Sequence, residues 1–202
     1  MHLLQTVLDA SNRQKQCKNT IYLTICNTSD GEAKHGNVLV ILTMGSQLAM
    51  AFLIYKQLTL LQLINLLVGL ENITTNKDLK HIIKHQRNVL MCNKGIEIQG
   101  FSITPAILQL HLESNGVFSH YIRSLLNPND KQDVILAYLL LKEIWFLPPP
   151  LAGSSLGFAQ AQEALNLYGQ FACHLMMPYI CVDIDLDEQL IHLSMAIHIV
   201  KT

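Results

Sequence analysis

Charged side chains are scarce in this sequence, and neither sign of charge dominates. Asp, Glu, Lys and Arg make up 14% of the 202 residues, and the formal net charge is −1. A typical soluble domain has about 25% charged residues. The overall charge therefore excludes binding to nucleic acid through a generally basic surface, and any such binding must come from a local group of cations.

Paired cysteines and two common nucleotide-binding motifs are also absent. The five cysteines contain no Cys-x-x-Cys pair, and neither GxxxxGK[ST] nor GxGxxG occurs. An odd number of cysteines without ligand spacing is typical of reduced thiols rather than of a disulfide framework or a zinc site. The first residues lack the apolar centre of a secretory signal, so we expect a nuclear or cytoplasmic protein.

Residues 48–70 form the one apolar stretch that is long enough to resemble a membrane span. Lys56, Gln57, Gln62 and Asn65 interrupt it. A charged residue at the centre of a span costs about 2.5–3.5 kcal/mol on insertion scales. We therefore predict a helix, a turn near 56–59 and a second apolar run instead of a membrane span.

Local patterns predict a mixed α/β chain that is rich in helices. Residues 19–26 have the composition of a strand, 95–101 alternate as in a short strand or a hairpin arm, and 63–70 fit either a buried strand or a helix. Thr104 and Pro105 are a cap and a first-turn proline for a helix, and Pro178 should end another. Helices are predicted at 35–51, 76–91, 104–114, 118–126, 134–146, 157–177 and 187–200.

The helix that begins near Asp78 combines an apolar face with a basic one. Its sequence is Asp-Leu-Lys-His-Ile-Ile-Lys-His-Gln-Arg-Asn. At 100° per residue, Leu79, Ile82, Ile83, Val89 and Leu90 should face the core. Lys80, Lys84 and Arg87 follow one another at i, i+4 and i+7, and a stripe of cations at this spacing can contact phosphates. The alternative is an ordinary solvated face on which Asp78 stabilises the helix N-terminus.

Two acids in this part of the chain could hold a divalent metal ion. Asp30 follows the apolar run Ile-Tyr-Leu-Thr-Ile-Cys at 21–26, and Asp78 heads the basic helix. Carboxylates at the ends of neighbouring elements can bind Mg²⁺, and two such ions assist phosphoryl transfer. His81 and His85 could form a zinc pair, although support of Asp78 or of a phosphate is the preferred role for His81.

Three segments together resemble P-element-type transposases, most closely transposon-derived proteins of mushroom-forming fungi. They are Ser-Asp-Gly-Glu-Ala-Lys at 29–34, the basic helix at 78–88 and Leu-Asn-Pro-Asn-Asp-Lys-Gln-Asp-Val at 126–134, with support from 178–183 and 188–190. The resemblance runs from about residue 21 to residue 198. It implies an RNase H-like core in which Asp30 and Asp78 are the first two acids of a magnesium site.

The resemblance also implies a division of the chain and an altered function. We expect a polar segment at 1–18, a partial RNase H-like core at 19–101 and a helical insertion-like region at 102–202. The third acid of the family is expected beyond the insertion, so its absence predicts a truncated, inactive relic of a DNA-cleaving enzyme. Weak DNA binding through Lys80, Lys84 and Arg87 could persist. The alternative function is a non-catalytic helical module that binds protein or nucleic acid.

Overall fold

The computed structural model describes residues 40–52, 54–61, 63–70 and 78–201. These residues belong to two compact units. The first unit contains the described residues up to 55 together with 66–70 and 78, and the second contains the described residues from 56 to 65 and from 79 onwards. The predicted strand at 19–26 lies outside the described residues.

The first unit contains a small antiparallel sheet. Strands β1 (Ser46–Gln47) and β2 (Leu67–Val68) pair with Ser46 opposite Val68. Gly69 follows β2 at a point where a Cβ atom would overlap the backbone of Leu42, so only glycine fits there. Residues 40–43 are helical, but Gly45 follows, and β1 stands where the prediction had helix. The predicted helix at 35–51 is therefore wrong in its C-terminal part, because glycine disfavours a helix interior.

The second unit begins with a short helix, a long amphipathic helix and a hairpin. These are α1 (Tyr55–Thr59), whose first residue belongs to the first unit, α2 (Leu79–Leu90), β3 (Ile96–Ile98) and β4 (Phe101–Ile103). The hairpin turn is Gln99–Gly100, and both residues have positive φ, 49° and 81°. Two-residue hairpin loops favour this backbone because its twist matches that of the strands. The strand or hairpin arm predicted over 95–101 is thus correct only for β3, because residues 99–100 form the turn and Phe101 begins the second strand.

Five helices complete the second unit. They are α3 (Pro105–Ser114), α4 (Ser119–Leu125), α5 (Val134–Trp145), α6 (Leu156–Ile180) and α7 (Leu186–Lys201). Thr104 accepts a hydrogen bond from the backbone N–H of Ile107, as the predicted cap requires. Asp133 caps α5 in the same way through Leu136. Helix α6 continues past Pro178 to Ile180, so the predicted stop at this proline is wrong.

One hydrophobic core joins most elements of the second unit. Helix α5 is apolar on nearly all sides, which is typical of a helix that is buried by neighbours. It packs against α2, α4 and α6, and α6 in turn contacts the hairpin and α7. The fully buried core side chains include Leu90, Leu108, Leu112, Ile122, Leu125, Leu140, Ile144, Leu165 and Met176.

The division between the units does not coincide with the predicted boundary at residue 101. Helix α2 and the β3–β4 hairpin share their core with α3–α6, so residues 79–101 are part of the helical unit. Tyr168 on α6 reinforces this association, because its hydroxyl donates to the side-chain oxygen of Gln86 on α2 at 2.8 Å. Burial raises the pKa of Tyr168, which therefore stays protonated.

The structure confirms the predicted class, a mixed and helix-rich chain whose described part contains two small antiparallel sheets. Among the described helices, none combines the length and the apolar composition that crossing a bilayer requires. In the stretch from 48 to 70, α1 and β2 replace the single long helix that a span would need.

Candidate nucleic-acid interface

Helix α2 presents the predicted apolar and basic faces, with one exception. Ile83 and Leu90 are buried in the core, and Leu79 and Ile82 are half-buried. Lys80 is exposed, and Lys84 is half-buried. Arg87 is only 1% exposed, so the prediction that it lies in an exposed cationic stripe is wrong.

Arg87 holds the loop between α4 and α5 through its guanidinium group. Its Nε and Nη2 atoms donate to the carbonyl of Leu125 at 3.1 and 2.8 Å. Nη2 also donates to the carbonyl of Asn127, and Nη1 donates to that of Asp130, both at 2.9 Å. Four of the five N–H groups of an arginine are thereby used. This side chain cannot also bind phosphate without breaking these bonds.

Charge complementarity explains why a cation is stable at this buried position. Leu125 is the last residue of α4, and helix C-termini carry carbonyls without helical partners and a partial negative charge. Burial lowers the pKa of Arg87, and the nearby charges of Asp130 and Asp133 partly offset this effect. An arginine with a lowered pKa is still protonated at neutral pH. Arg87 therefore acts as a charged C-terminal cap of α4.

Two neighbours of Arg87 on α2 contact the same loop. Lys84 Nζ donates to the side-chain oxygen of Gln132 at 2.9 Å, and Asn88 Nδ2 donates to the carbonyl of Lys131 at 3.4 Å. Lys131 itself is exposed. The exposed Lys131 thus belongs to the loop that packs against the C-terminal half of α2. Lys131 could not be assigned to this site from the sequence, because its position depends on a contact between distant segments.

Only one of the two predicted magnesium ligands lies among the described residues. Asp30 lies outside them, and Asp78 is half-buried directly before α2. Within residues 40–52, 54–61, 63–70 and 78–201, no three His, Cys, Asp or Glu side chains cluster in a way that could hold a metal ion. His81 is half-buried on α2, and His85 is exposed. Asp78 alone does not make a magnesium site.

A second polar group lies between α3, α6 and the segment that follows α5. His111 is buried, its Nδ1 atom lies 3.2 Å from Oε1 of Gln162, and its ring packs on Phe158. Nε2 of Gln162 donates to the carbonyl of Pro148 at 2.7 Å, so Oε1 must accept from His111. Burial lowers the pKa of His111, with the Gln162 hydrogen bond opposing the change. These contacts are structural and fix the position of Pro148.

An open recess of about 370 Å³ adjoins this group. The segment at 153–157, Gly-Ser-Ser-Leu-Gly, borders it and matches the Gly-x-Ser-x-Gly pattern of hydrolases. In those enzymes the serine occupies a strained turn between a strand and a helix. Ser155 has an ordinary extended backbone, φ −59° and ψ 148°, and no strand precedes it within residues 140–155. The pattern therefore marks the start of α6 and not a nucleophile.

Comparison with models of known protein families, with curated proteins and with solved structures finds no match to this chain. The transposase resemblance thus depends on the three segments that carry it. Two of these segments, the helix at 78–88 and the loop at 126–134, are described, and they contact each other through Arg87, Lys84 and Asn88.

Proposed function

We propose that this chain is a transposase-derived module that binds DNA through its phosphates without cutting it. The observation that supports the proposal is the contact between α2 and the loop at 126–134. Segments that are far apart in sequence but resemble the same family form one hydrogen-bonded structure around Arg87. A shared structural element is a physical reason for two motifs to occur together.

Three lysines on this structure form the proposed phosphate-binding surface. Lys80 and Lys84 are one turn apart on α2, and Lys131 belongs to the loop that Lys84 and Asn88 contact, with Asn88 donating to its carbonyl. Lysine ammonium groups contact phosphates without reading sequence, so the binding should be weak and independent of sequence. Arg87 contributes indirectly, because it fixes the loop that carries Lys131.

Descent from a transposase would also assign a role to two acidic residues, Asp30 and Asp78. Asp30 and Asp78 would be the first two magnesium ligands of a partial RNase H-like core within 19–101. Two-metal phosphoryl transfer needs ligands that fix both ions, and losing one ligand loosens a geometry in which displacements of about 1 Å matter. Loss of a metal ligand would therefore abolish cleavage but not the phosphate contacts, because each lysine acts on its own.

The proposal is tested by fluorescence anisotropy of a labelled DNA duplex titrated with the protein at several salt concentrations. Three phosphate contacts give a slope of log K against log [salt] of roughly −2.7. Between about 50 and 200 mM salt, the affinity should then fall roughly 40-fold. The slope of log K against log [salt] should become less negative by about one in each of the variants Lys80→Gln, Lys84→Gln and Lys131→Gln.

The matched control is Lys201→Gln, which removes the same charge from an exposed position near the end of α7. This variant should bind DNA as the unchanged protein does. The proposal is refuted if no binding occurs at any salt concentration. It is equally refuted if Lys201→Gln weakens binding as much as the three lysine variants do.

A further inference from the structure

We propose that residues 147–151, Leu-Pro-Pro-Pro-Leu, are a docking segment for a protein partner whose aromatic-lined groove recognises a polyproline II helix. This inference does not depend on DNA binding. Each proline has φ near −65°, and a residue before a proline is restricted to extended conformations. Three successive prolines therefore fix an extended, left-handed segment with three residues per turn.

The burial of the segment follows this threefold period. Leu147 is 8% exposed and Pro150 is half-buried, so one ridge of the helix faces the protein. Pro148 and Pro149 are exposed, and Leu151, three residues after Pro148, is 78% exposed. Two adjacent ridges, formed by Pro148 with Leu151 and by Pro149, therefore face outwards. Domains that recognise polyproline II helices bind such ridges between aromatic side chains.

The segment is anchored from behind, so it can bind with little loss of conformational entropy. The carbonyl of Pro148 accepts hydrogen bonds from Gln162 at 2.7 Å and from Asn166 at 3.2 Å. Gln162 is in turn held by His111. Both amides lie on α6, which fixes the segment against a long helix without covering its outer ridges. A pre-ordered ligand avoids part of the ordering cost of association.

The surroundings of the segment also indicate a protein partner. Phe146 directly precedes it and is 64% exposed, although its ring stacks on that of Trp145 at 5.1 Å. Leu156 at the start of α6 is 74% exposed. Residues 144–157 carry no charged side chain. One charged group adjoins this segment, since Nζ of Lys142 lies 6.0 Å from the centroid of the Phe146 ring. The segment itself is apolar, and an exposed apolar surface marks contact with protein.

The test uses the full-length protein and purified WW, SH3 and EVH1 domains, with binding measured by isothermal titration calorimetry. We expect saturable binding to at least one of the three classes. Pro148→Ala with Pro149→Ala should weaken it by about tenfold or more, the effect of losing a contact of hot-spot size. The Pro148 carbonyl remains in this variant, so its anchor to α6 is retained.

Two further variants make the outcome unambiguous. Leu151→Glu changes an outward residue without touching the core, and it should weaken binding even if the proline variant is unstable. Pro128→Ala removes an exposed proline from a different loop and should leave the affinity unchanged. If none of the domains binds, or if binding persists in both the proline and Leu151→Glu variants, the segment is a structural spacer only.

Discussion

Arg87 is a single side chain that determines the geometry of the whole candidate interface. Its four hydrogen bonds reach three carbonyls in the segment from Leu125 to Asp130. Hydrogen bonds to a charged donor contribute about 1.5–3 kcal/mol each, and a buried carbonyl that loses its partner costs about 1–3 kcal/mol. These interactions share one guanidinium group, so they are not additive.

Replacing Arg87 by methionine should therefore reduce the free energy of unfolding by about 3 kcal/mol. Methionine fills a similar volume but has no donor for the three carbonyls, of which that of Leu125 is buried. Urea denaturation followed by circular dichroism measures the change. Lys84→Met on the same helix should cost less than about 0.5 kcal/mol, because it removes only a surface hydrogen bond. Equal losses in the two variants would contradict the role given to Arg87.

Arg87 lies where the apolar and the basic faces of α2 meet, so its spacing in the sequence supported two interpretations. Arg87 is at i+4 from Ile83 and three residues before Leu90, so it lies in the centre of the apolar face. It is also at i+7 from Lys80, and this second relation led to the prediction of an exposed cation. The basic and apolar faces overlap at this position. Which one includes Arg87 depends on the carbonyls of a loop about 40 residues away, and these have no signature in the sequence.

At the scale of the elements, the close contact of α5 and α6 depends on one glycine. A Cβ atom at Gly169 would lie 2.7 Å from the carbonyl oxygen of Ile144 and 2.9 Å from Cα of Trp145. Both neighbours are backbone atoms, which cannot rotate away. Gly157 in the first turn of the same helix has no such neighbour within 4 Å. The two glycines of α6 thus form a natural pair for a test.

Gly169→Ala should lower the stability by about 1–2 kcal/mol. Overpacking costs about 1–3 kcal/mol, and the higher helix propensity of alanine, up to about 1 kcal/mol, offsets part of it. Gly157→Ala should leave the stability unchanged or raise it slightly. The urea midpoints of the two variants measure the difference. A stabilised Gly169→Ala protein would show that α5 and α6 are not as close as described.

The contact of α6 with α7 includes a pair of histidines. The Nδ1 atoms of His174 and His192 lie 2.8 Å apart, so one must donate and the other must accept. Burial and then the charge of His192 lower the pKa of His174. The folded state therefore binds fewer protons than the unfolded state as the pH falls below about 6.5, the ordinary pKa of histidine.

Because the folded state binds fewer protons than the unfolded state, the free energy of unfolding should decrease as the pH falls. The contribution of His174 to stability should be fully present above about pH 6.5 and should be lost as the pH falls through the lowered pKa of this residue, when its buried ring gains a proton. His111, whose pKa is also lowered by burial, acts in the same direction. His192→Ala should flatten the dependence of the urea midpoint on pH between about pH 7 and 5, with exposed His120→Ala as the control. An unchanged dependence in His192→Ala would exclude the pair as its cause.

Most helices of the second unit could be predicted because their signals are local. Thr104, Pro105 and Asp133 act as caps or first-turn residues in the structure. Only two residues of α6 follow Pro178, so the missing N–H bond to the carbonyl of His174 and the clash of the ring disturb only the last turn of the helix. The two-residue strands β1 and β2 are not predictable in this way, because a strand so short depends on its partner.

At the scale of the whole molecule, association between distant segments could not be predicted. Neither the joining of residues 79–101 to the helical unit nor the contact of α2 with the loop at 126–134 follows from periodicity. The pairing of Asp30 with Asp78 is a prediction of the same kind, and Asp30 lies outside the described residues. The pairing of Asp30 with Asp78 is therefore tested by measuring DNA cleavage by the whole chain.

Purified full-length protein should leave supercoiled plasmid DNA intact in the presence of Mg²⁺ or Mn²⁺. Two carboxylates can bind a metal ion weakly, but the attacking and leaving oxygens need a pair of cations about 4 Å apart that is held rigidly. Asp30→Ala and Asp78→Ala proteins, prepared in parallel, show any contaminating nuclease. If the unchanged protein nicks the plasmid and neither variant does, the proposed loss of cleavage is wrong. The same result would identify Asp30 and Asp78 as the metal ligands. Nicking that is equal in all three preparations would come from a contaminant. The proposed phosphate-binding surface of Lys80, Lys84 and Lys131 is tested separately by the anisotropy experiment.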